Sequence, residues 1–594
     1  MSYRRKKLLA LFCATALSMT AVAGCTGTKS STGNVVSSET ETNAEETSAQ
    51  SEAGSFSSAD MFTERDLART YEESGAVYVT LSGDGITGEM DGVAINGQTV
   101  TITAEGTYIF SGTLSEGQIV VDADNAKVQI VFDNVDITCA SSAAVYVKSA
   151  EKVFVTLAEG SQNTLRNTDE YVAIDDNNID AVIFAKSDLT LNGTGSLTII
   201  SAEGHGIVSK DDLKIIGGTY DITAAGHALS GKDSVRIADG TFILTAEKDG
   251  IHAENADDEE KGYIYIADGD FTITSDGDGM DASNIVQIED GTLDITAGGG
   301  SANSLKTHES DVPGGPGGGM PQNGEKLDGE SMPQMGEKPD GENMPQDTTT
   351  DESGTSTKGI KAGGGMYLNG GTYQIDSADD SIHSNANITI ADGTYTLATG
   401  DDGVHADDAL IVNGGTITVT ESYEGLEGLA VTINDGTIDI TASDDGINTA
   451  GEKMELNGGY IHILAGGDGV DSNGDLTING GEIYIDGPSD NGNSAIDYGD
   501  RSSAYVNGGM LVAIGSSGMA EGMSDSSKQK VLMVKLGEQM EAGNVVLTDS
   551  EGNVIVSYTA LKTYDCVIIS TAEVESGATY TLTTSGTTTE VTAE

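Results

Sequence analysis

Tryptophan is absent from this 594-residue chain, and basic residues are scarce: 29 Lys and Arg stand against 95 Asp and Glu, a formal charge of −66. Without Trp there is no indole platform to stack on crystalline cellulose. A surface this acidic repels nucleic acid and anionic lipid, which excludes both as partners. It suits cations, or polymers held through hydrogen bonds and bridging cations. Proline is also rare, and six of the seven prolines fall in one segment, residues 305–358. Of four cysteines, Cys13 lies in a leader-like stretch and Cys25 at its end. Cys139 and Cys566 are far apart and flanked by strand-like text, which predicts two buried free thiols and no disulfide. No apolar stripe of helical period runs through the body of the chain.

What is abundant is glycine, 79 residues, and part of it is periodic. Gly218, Gly240, Gly269, Gly291, Gly371, Gly393, Gly415, Gly436, Gly459, Gly481 and Gly509 each end a polar turn before a strand-like run. A second column carries a buried-type residue: Ile207, Leu229, Ile251, Met280, Ile382, Val404, Leu426, Ile447, Val470 and Ile496. Most steps in both columns are 21 to 23 residues. A fixed period of this size signals a solenoid whose units bury their apolar faces against one another. Between the columns, runs such as Ile417-Thr418-Val419 alternate at period 2. The expected fold is all-β: a parallel β-helix with coils of about 22 residues.

The ends and the interruption complete the layout. Residues 1–24 read as a secretory signal, with Arg4, Arg5, Lys6 and Lys7 ahead of an apolar run too short for a good membrane span. Val22-Ala23-Gly24-Cys25 matches a lipobox, so Cys25 is the expected lipidated N-terminus, placing the protein on the extracellular face of the membrane through that lipid alone. Residues 25–57 form a Ser/Thr/Glu-rich tether. Residues 58–200 hold a short helix, capped by Asp60 and running to Arg69, and the irregular start of the solenoid. Residues 201–510 are its regular body, interrupted by a low-complexity excursion over 305–358, and 511–594 form a β cap.

The chemistry lies beside the aliphatic column. Two positions before it stand Asp249, Asp278, Asp380, Asp402, Glu424, Asp445 and Asp468; one position after it stand His252, Asp281, His383, His405, Glu427, Asn448, Asp471 and Asp497. Coils stack about 4.8 Å apart, and two carboxylates at that spacing repel by about 1 kcal/mol in bulk water and several-fold more when partly buried. Such ladders call for counter-ions, and Ca²⁺ with its hard oxygen ligands fits best. The expected ligands are Asp276, Asp278, Asp281, Asp402, Asp445, Asp468, Asp471 and Asp475. His383 and His405 adjoin but read as a surface pair, not a zinc site.

Parallel β-helices include pectin-cleaving enzymes, so catalysis is weighed. The fragments Asn167-Thr168-Asp169, Asp175-Asp176, Gly204-His205-Gly206 and Arg236-Ile237-Ala238 echo a hydrolase pattern, but the first two lie six residues apart, not one coil apart. A calcium lyase needs a base beside its metal carboxylates. Arg236, Arg501, Lys306 and Lys361 are the plausible ones, and in the sequence none sits inside the densest acidic turns. No catalytic residue is expected.

Several stretches carry a family resemblance: Phe62-Thr-Glu-Arg-Asp-Leu67, Gly106-Thr-Tyr-Ile-Phe-Ser-Gly-Thr-Leu114 with Val120-Val121-Asp122, Ile130 to Thr138, Ile207 to Ile215, and Gly231 to Val235. From about Phe62 onward the chain resembles the extracellular carbohydrate-binding β-helix proteins of the clostridial, cellulose- and acidic-sugar-binding type. The resemblance implies a right-handed parallel β-helix, bound calcium, and non-catalytic binding of a cellulose-like or acidic, pectin-like polysaccharide. Gly204-His205-Gly206 and Gly226-His227-Ala228 depart from the family's acidic turn, so calcium is not expected at those two coils. The competing expectation is a polysaccharide lyase or glycoside hydrolase of the pectinase-like type.

Overall fold

The computed structural model describes residues 55–306 and 356–593, apart from 84, 89–91, 452 and 500. The leader, Cys25, the tether up to residue 54 and most of the 305–358 excursion lie outside the described residues. What is described is a parallel β-helix. Three strands per coil stack into three columns, as in Leu229–Gly231, Ser234–Ile237 and Thr241–Ala246, which pair with Ile251–Ala253, Tyr263–Ile266 and Asp270–Ser275 of the next coil. Every one of these pairings is parallel and in register, and regular stacking already begins at Val145–Ser149, Lys152–Leu157 and Gln162–Asn167.

The period-2 text explains the packing. In Thr241–Ala246 the side chains alternate exposed and buried, so Phe242 and Leu244 point inward while Thr241 and Ile243 face out. Because each coil repeats this in register, like residues stack inside: Tyr220, Phe242 and Phe271 have ring centroids 5.2 and 4.7 Å apart, and Tyr373 lies 4.5 Å from Tyr395. All eleven glycines of the repeat have positive φ, from 84° to 146°, a conformation that a side chain disfavours. At Gly459 a Cβ would also meet the carbonyl oxygen of Gly436 at 2.6 Å. The turn residues Asn434, Asn457, Asn479 and Asn507 each donate from Nδ2 to the Asn one coil earlier, at 2.8–2.9 Å.

The excursion joins two adjacent coils. Met280–Ala282 pairs with Ile360–Ala362 and Thr292–Ala297 with Thr372–Ser377, so the ladder continues across it without a gap. Towards the C-terminus, Tyr564–Ser570 pairs antiparallel with Met510–Gly515 and covers the last coil. A separate four-stranded antiparallel sheet, Gly543–Thr548, Val554–Ala560, Thr579–Thr584 and Thr587–Thr592, completes the cap. Cys139 and Cys566 are buried and free.

The helix expected from Asp60 to Arg69 does not form; among the described residues there is no α-helix, and only a 3₁₀ turn covers Ser58–Asp60. The segment instead lies along the outside of the middle strand column. Phe56 packs tilted against Tyr263 with ring centroids 4.3 Å apart, Met61 packs with Tyr263 and Tyr265, and Asp66 is fully buried against Lys152 Nζ at 2.6 Å. Thr63 and Thr190 also donate to Asp66, which holds that carboxyl down at about 2 against the cost of its burial. Two turns of isolated helix are marginal in water, whereas the sheet offers both an apolar face and a buried cation.

Candidate functional site

The two columns flanking the aliphatic residue form one continuous strip. Its first function is structural: the side chain two positions before the aliphatic accepts the backbone N–H of the equivalent residue one coil on. Asp249 Oδ1 takes the N–H of Asp278 at 2.9 Å, Asp278 that of Lys358 at 2.6 Å, and Asp380 that of Asp402 at 3.1 Å. Asp402 takes Glu424 at 3.1 Å, Asp445 takes Asp468 at 2.6 Å, and Asp468 takes Ser494. The two departing coils join the same column. His205 Nδ1 accepts the N–H of His227 at 2.8 Å, and His227 Nδ1 that of Asp249 at 3.2 Å. Burial, with His227 beside it, holds His205 down at about 3, so it stays the neutral acceptor. The recurrence of an acceptor at this position was visible in the sequence; that its partner is the next coil's backbone was not.

Counter-charges are unevenly distributed along the strip. Lys361 Nζ lies 3.6 Å from Asp278 and 3.4 Å from Asp281, and His252 Nδ1 lies 3.2 Å from Asp249 and 3.4 Å from Asp281. Lysine therefore does sit in one of the densest acidic turns, contrary to the reading of the sequence. Lys358-Gly359-Ile360-Lys361 occupies the frame of Asp278-Gly279-Met280-Asp281, with cations at both flanking positions. The frame could have revealed this, but the 80-residue step from Gly291 to Gly371 obscured it. Next, Lys306 and Lys358, from the two ends of the excursion, converge on Asp379 at 2.7 and 2.9 Å; Lys358 also reaches Asp380 at 2.7 Å and Lys306 reaches Asp401. His405 Nδ1 then lies 3.2 Å from both Asp402 and Glu427.

Beyond Glu427 no cation flanks the strip among the described residues. Asp445, Asp468 and Asp471 converge so that one oxygen of each lies within 4.8 Å of the others. Among the described residues, no Lys, Arg or His forms an ion pair with them or with Asp497. Burial, with Asp444 and Asp468 as neighbours, raises Asp445 to about 8. Burial raises Asp468 to about 7 despite the Ser494 N–H, and burial with Asp497 raises Asp471 to about 6. Partial protonation near neutral pH, greatest at Asp445, is the cost of this convergence, and hard carboxylate oxygens are donors that Ca²⁺ prefers.

The eight expected ligands thus divide. Asp445, Asp468 and Asp471 form the group without a basic partner. Asp278 and Asp281 come together but share Lys361, and Asp402 sits against His405. Asp276 is exposed and lines an open groove with Glu247 and Lys306. Asp475 is exposed, one turn further on, accepting the N–H of Ser503 at 2.8 Å. The bases weighed for a lyase are engaged or outside. Arg236 is locked to Asp212 at 2.9 Å and lies over the Tyr263 ring, Arg501 is exposed, and Lys361 is shifted upward because its carboxylate neighbours outweigh its burial. A lysine held as ammonium cannot accept a proton.

A family model described as a carbohydrate-binding domain-containing protein matches residues 96–403 and again 401–574. A curated protein of the same description from Acetivibrio thermocellus is 40% identical over 136 residues, covering 22% of this chain and 48% of that protein. The chain thus spans about half the length of that relative. Among solved structures, the polysaccharide lyase-like protein from C. thermocellum, in its gadolinium derivative, is 36% identical. It covers 38% of this chain and 92% of its own, with a TM-score of 0.37.

Proposed function

Since the chain belongs to the family of carbohydrate-binding domain-containing proteins, we propose that it is a cell-surface lipoprotein that binds an acidic polysaccharide without cleaving it, through calcium held at Asp445, Asp468 and Asp471. The observation that carries this reading is the stop in the counter-charges: these three carboxylates converge with no basic partner among the described residues. Calcium takes six to eight oxygens, so three carboxylates and nearby turn carbonyls leave positions for the carboxylates and hydroxyls of a uronate polymer. The ion would thereby overcome the repulsion between an acidic protein and an acidic glycan. The binding reading is favoured over catalysis by the repetition of like groups along an edge, whereas catalysis converges an acid, a base and a cation on one point. Cys25 would anchor the protein, and its replacement by Ser should release the protein from the membrane fraction.

The test is binding to polygalacturonate and to cellulose with Ca²⁺ or with chelator. Asp468→Asn combined with Asp471→Asn should weaken binding to the acidic polymer far more than to cellulose, and chelator should do the same to the wild type. Calcium-independent binding unaffected by the double substitution would overturn the reading. A lyase reading draws only on Lys361 beside Asp278 and Asp281. Unsaturated products released by the wild type and lost in Lys361→Met would establish it instead.

A further inference from the structure

The pair His383 and His405, which the sequence suggests as surface residues, is enclosed by carboxylates. His383 is 9% exposed, and its Nε2 lies 2.9 Å from Asn385 Oδ1, which fixes the ring. Its Nδ1 is fully buried, makes no hydrogen bond, and lies 2.8 Å from Asp380 Oδ2. With Nε2 donating to the amide oxygen, Nδ1 faces the Asp380 carboxylate, a contact that a proton on Nδ1 or a metal ion beside the pair would each satisfy. One coil on, His405 Nδ1 is 3.2 Å from Asp402 Oδ2 and 3.2 Å from Glu427 Oε2. Donors bound at about 2.0–2.1 Å to a tetrahedral zinc ion stand about 3.3 Å apart, which is the spacing found here. The two rings meet edge-on, with centroids 5.0 Å apart and planes at 63°, and one nitrogen of each lies, with an oxygen of Asp380, within 4.8 Å of the others.

We propose that this node is a transition-metal site of the zinc class, with His405, Asp402 and Glu427 as ligands and His383 donating from the preceding coil. Two neutral imidazoles and two carboxylates would give a dication a neutral first shell, and imidazole selects Zn²⁺, Co²⁺ or Ni²⁺ over Ca²⁺. The site is therefore distinct from the all-oxygen group at Asp445. The other histidine cluster of the strip provides the contrast. His205, His227 and His252 stack face to face, with planes 6° and 7° apart, and the Nδ1 atoms of His205 and His227 already accept backbone N–H groups. In that stack two of the three Nδ1 lone pairs are committed and the rings lie parallel, which leaves only His252 Nδ1 free to face Asp249 and Asp281.

The experiment uses the full chain in saturating Ca²⁺, which occupies oxygen sites, with Zn²⁺ titrated by calorimetry and Co²⁺ as a spectroscopic probe. The expected result is one Zn²⁺ per chain and Co²⁺ d–d absorption of a low-coordinate site with imidazole ligands. His405→Gln and His383→Gln should each weaken Zn²⁺ binding by about ten-fold or more, while His252→Gln leaves it unchanged. Glu427→Gln, which removes a ligand charge at constant volume, should weaken it as well and guards against a histidine variant that fails to fold. No Zn²⁺ uptake by the wild type, full uptake by Glu427→Gln and His405→Gln, loss on His252→Gln, or displacement of Zn²⁺ by millimolar Ca²⁺ would each overturn the proposal.

Discussion

Replacing Asp468 by Asn should stabilise the calcium-free protein and abolish its response to calcium, two effects of opposite sign from one atom. Asn keeps the Oδ1 that accepts the Ser494 N–H and removes only the charge. The Asp468 carboxyl is raised from 3.8 to about 7 by burial and by its neighbours Asp497 and Asp471. An acid with a raised folded pKa binds its proton more tightly when folded. Its penalty is thus absent below about pH 4, grows through the interval, and is complete above about pH 7. A shift of about three units is worth about 4 kcal/mol at about 1.4 kcal/mol per unit. Because part of that shift is repulsion from neighbouring carboxylates, Asp471 and Asp497 among them, which can take up a proton in its place, the expected gain from the single substitution is roughly 1–2 kcal/mol. Calcium at about 100 times its dissociation constant should stabilise the wild type by about 2.7 kcal/mol, and the variant by far less. Melting and denaturant midpoints at pH 8, with chelator and with Ca²⁺, decide the matter. A variant less stable than wild type in chelator, or one with an undiminished calcium response, would refute the reasoning.

Other outcomes follow from the same strip. Lys306→Met should lower the denaturation midpoint strongly, about 3–5 kcal/mol being typical for a buried charge left unpaired, since Lys306 serves Asp379 and Asp401. Excision of residues 313–347, which keeps Lys306 and Lys358, should leave that midpoint nearly unchanged. Gly459→Ala should cost about 1–3 kcal/mol because φ is 84° and Gly436 O stands 2.6 Å from the new Cβ; an unaffected melting curve would contradict the assigned turn. His252, raised to about 9 by Asp249 and Asp281 in spite of its burial, gives stability that is complete below about 6.5 and lost as pH rises through about 9. His252→Gln should therefore flatten the alkaline limb of a stability-against-pH profile.

The solenoid was legible because a repeat writes itself into the sequence many times. Glycines at positive φ, period-2 strands and a buried aliphatic every coil need only local rules, and stacking merely multiplies them. The free, buried Cys139 and Cys566 were legible from their setting, since one follows a strand directly and the other lies within one. The segment after Asp60 was misread because its local pattern suits a short helix, while Asp66 and Met61 find better partners on a sheet formed by residues far along the chain. The acidic columns were legible as columns but not as a graded series. Sequence alone determined that carboxylates would stack at the coil spacing; only the tertiary structure decided which of them keep company with a cation. That depends on Lys358 and Lys361 re-entering the frame after the excursion, on Lys306 reaching Asp379 and Asp401, and on the angle between the His383 and His405 rings. Charge neutralisation acts over a few ångströms, and such distances exist only once the coils are stacked.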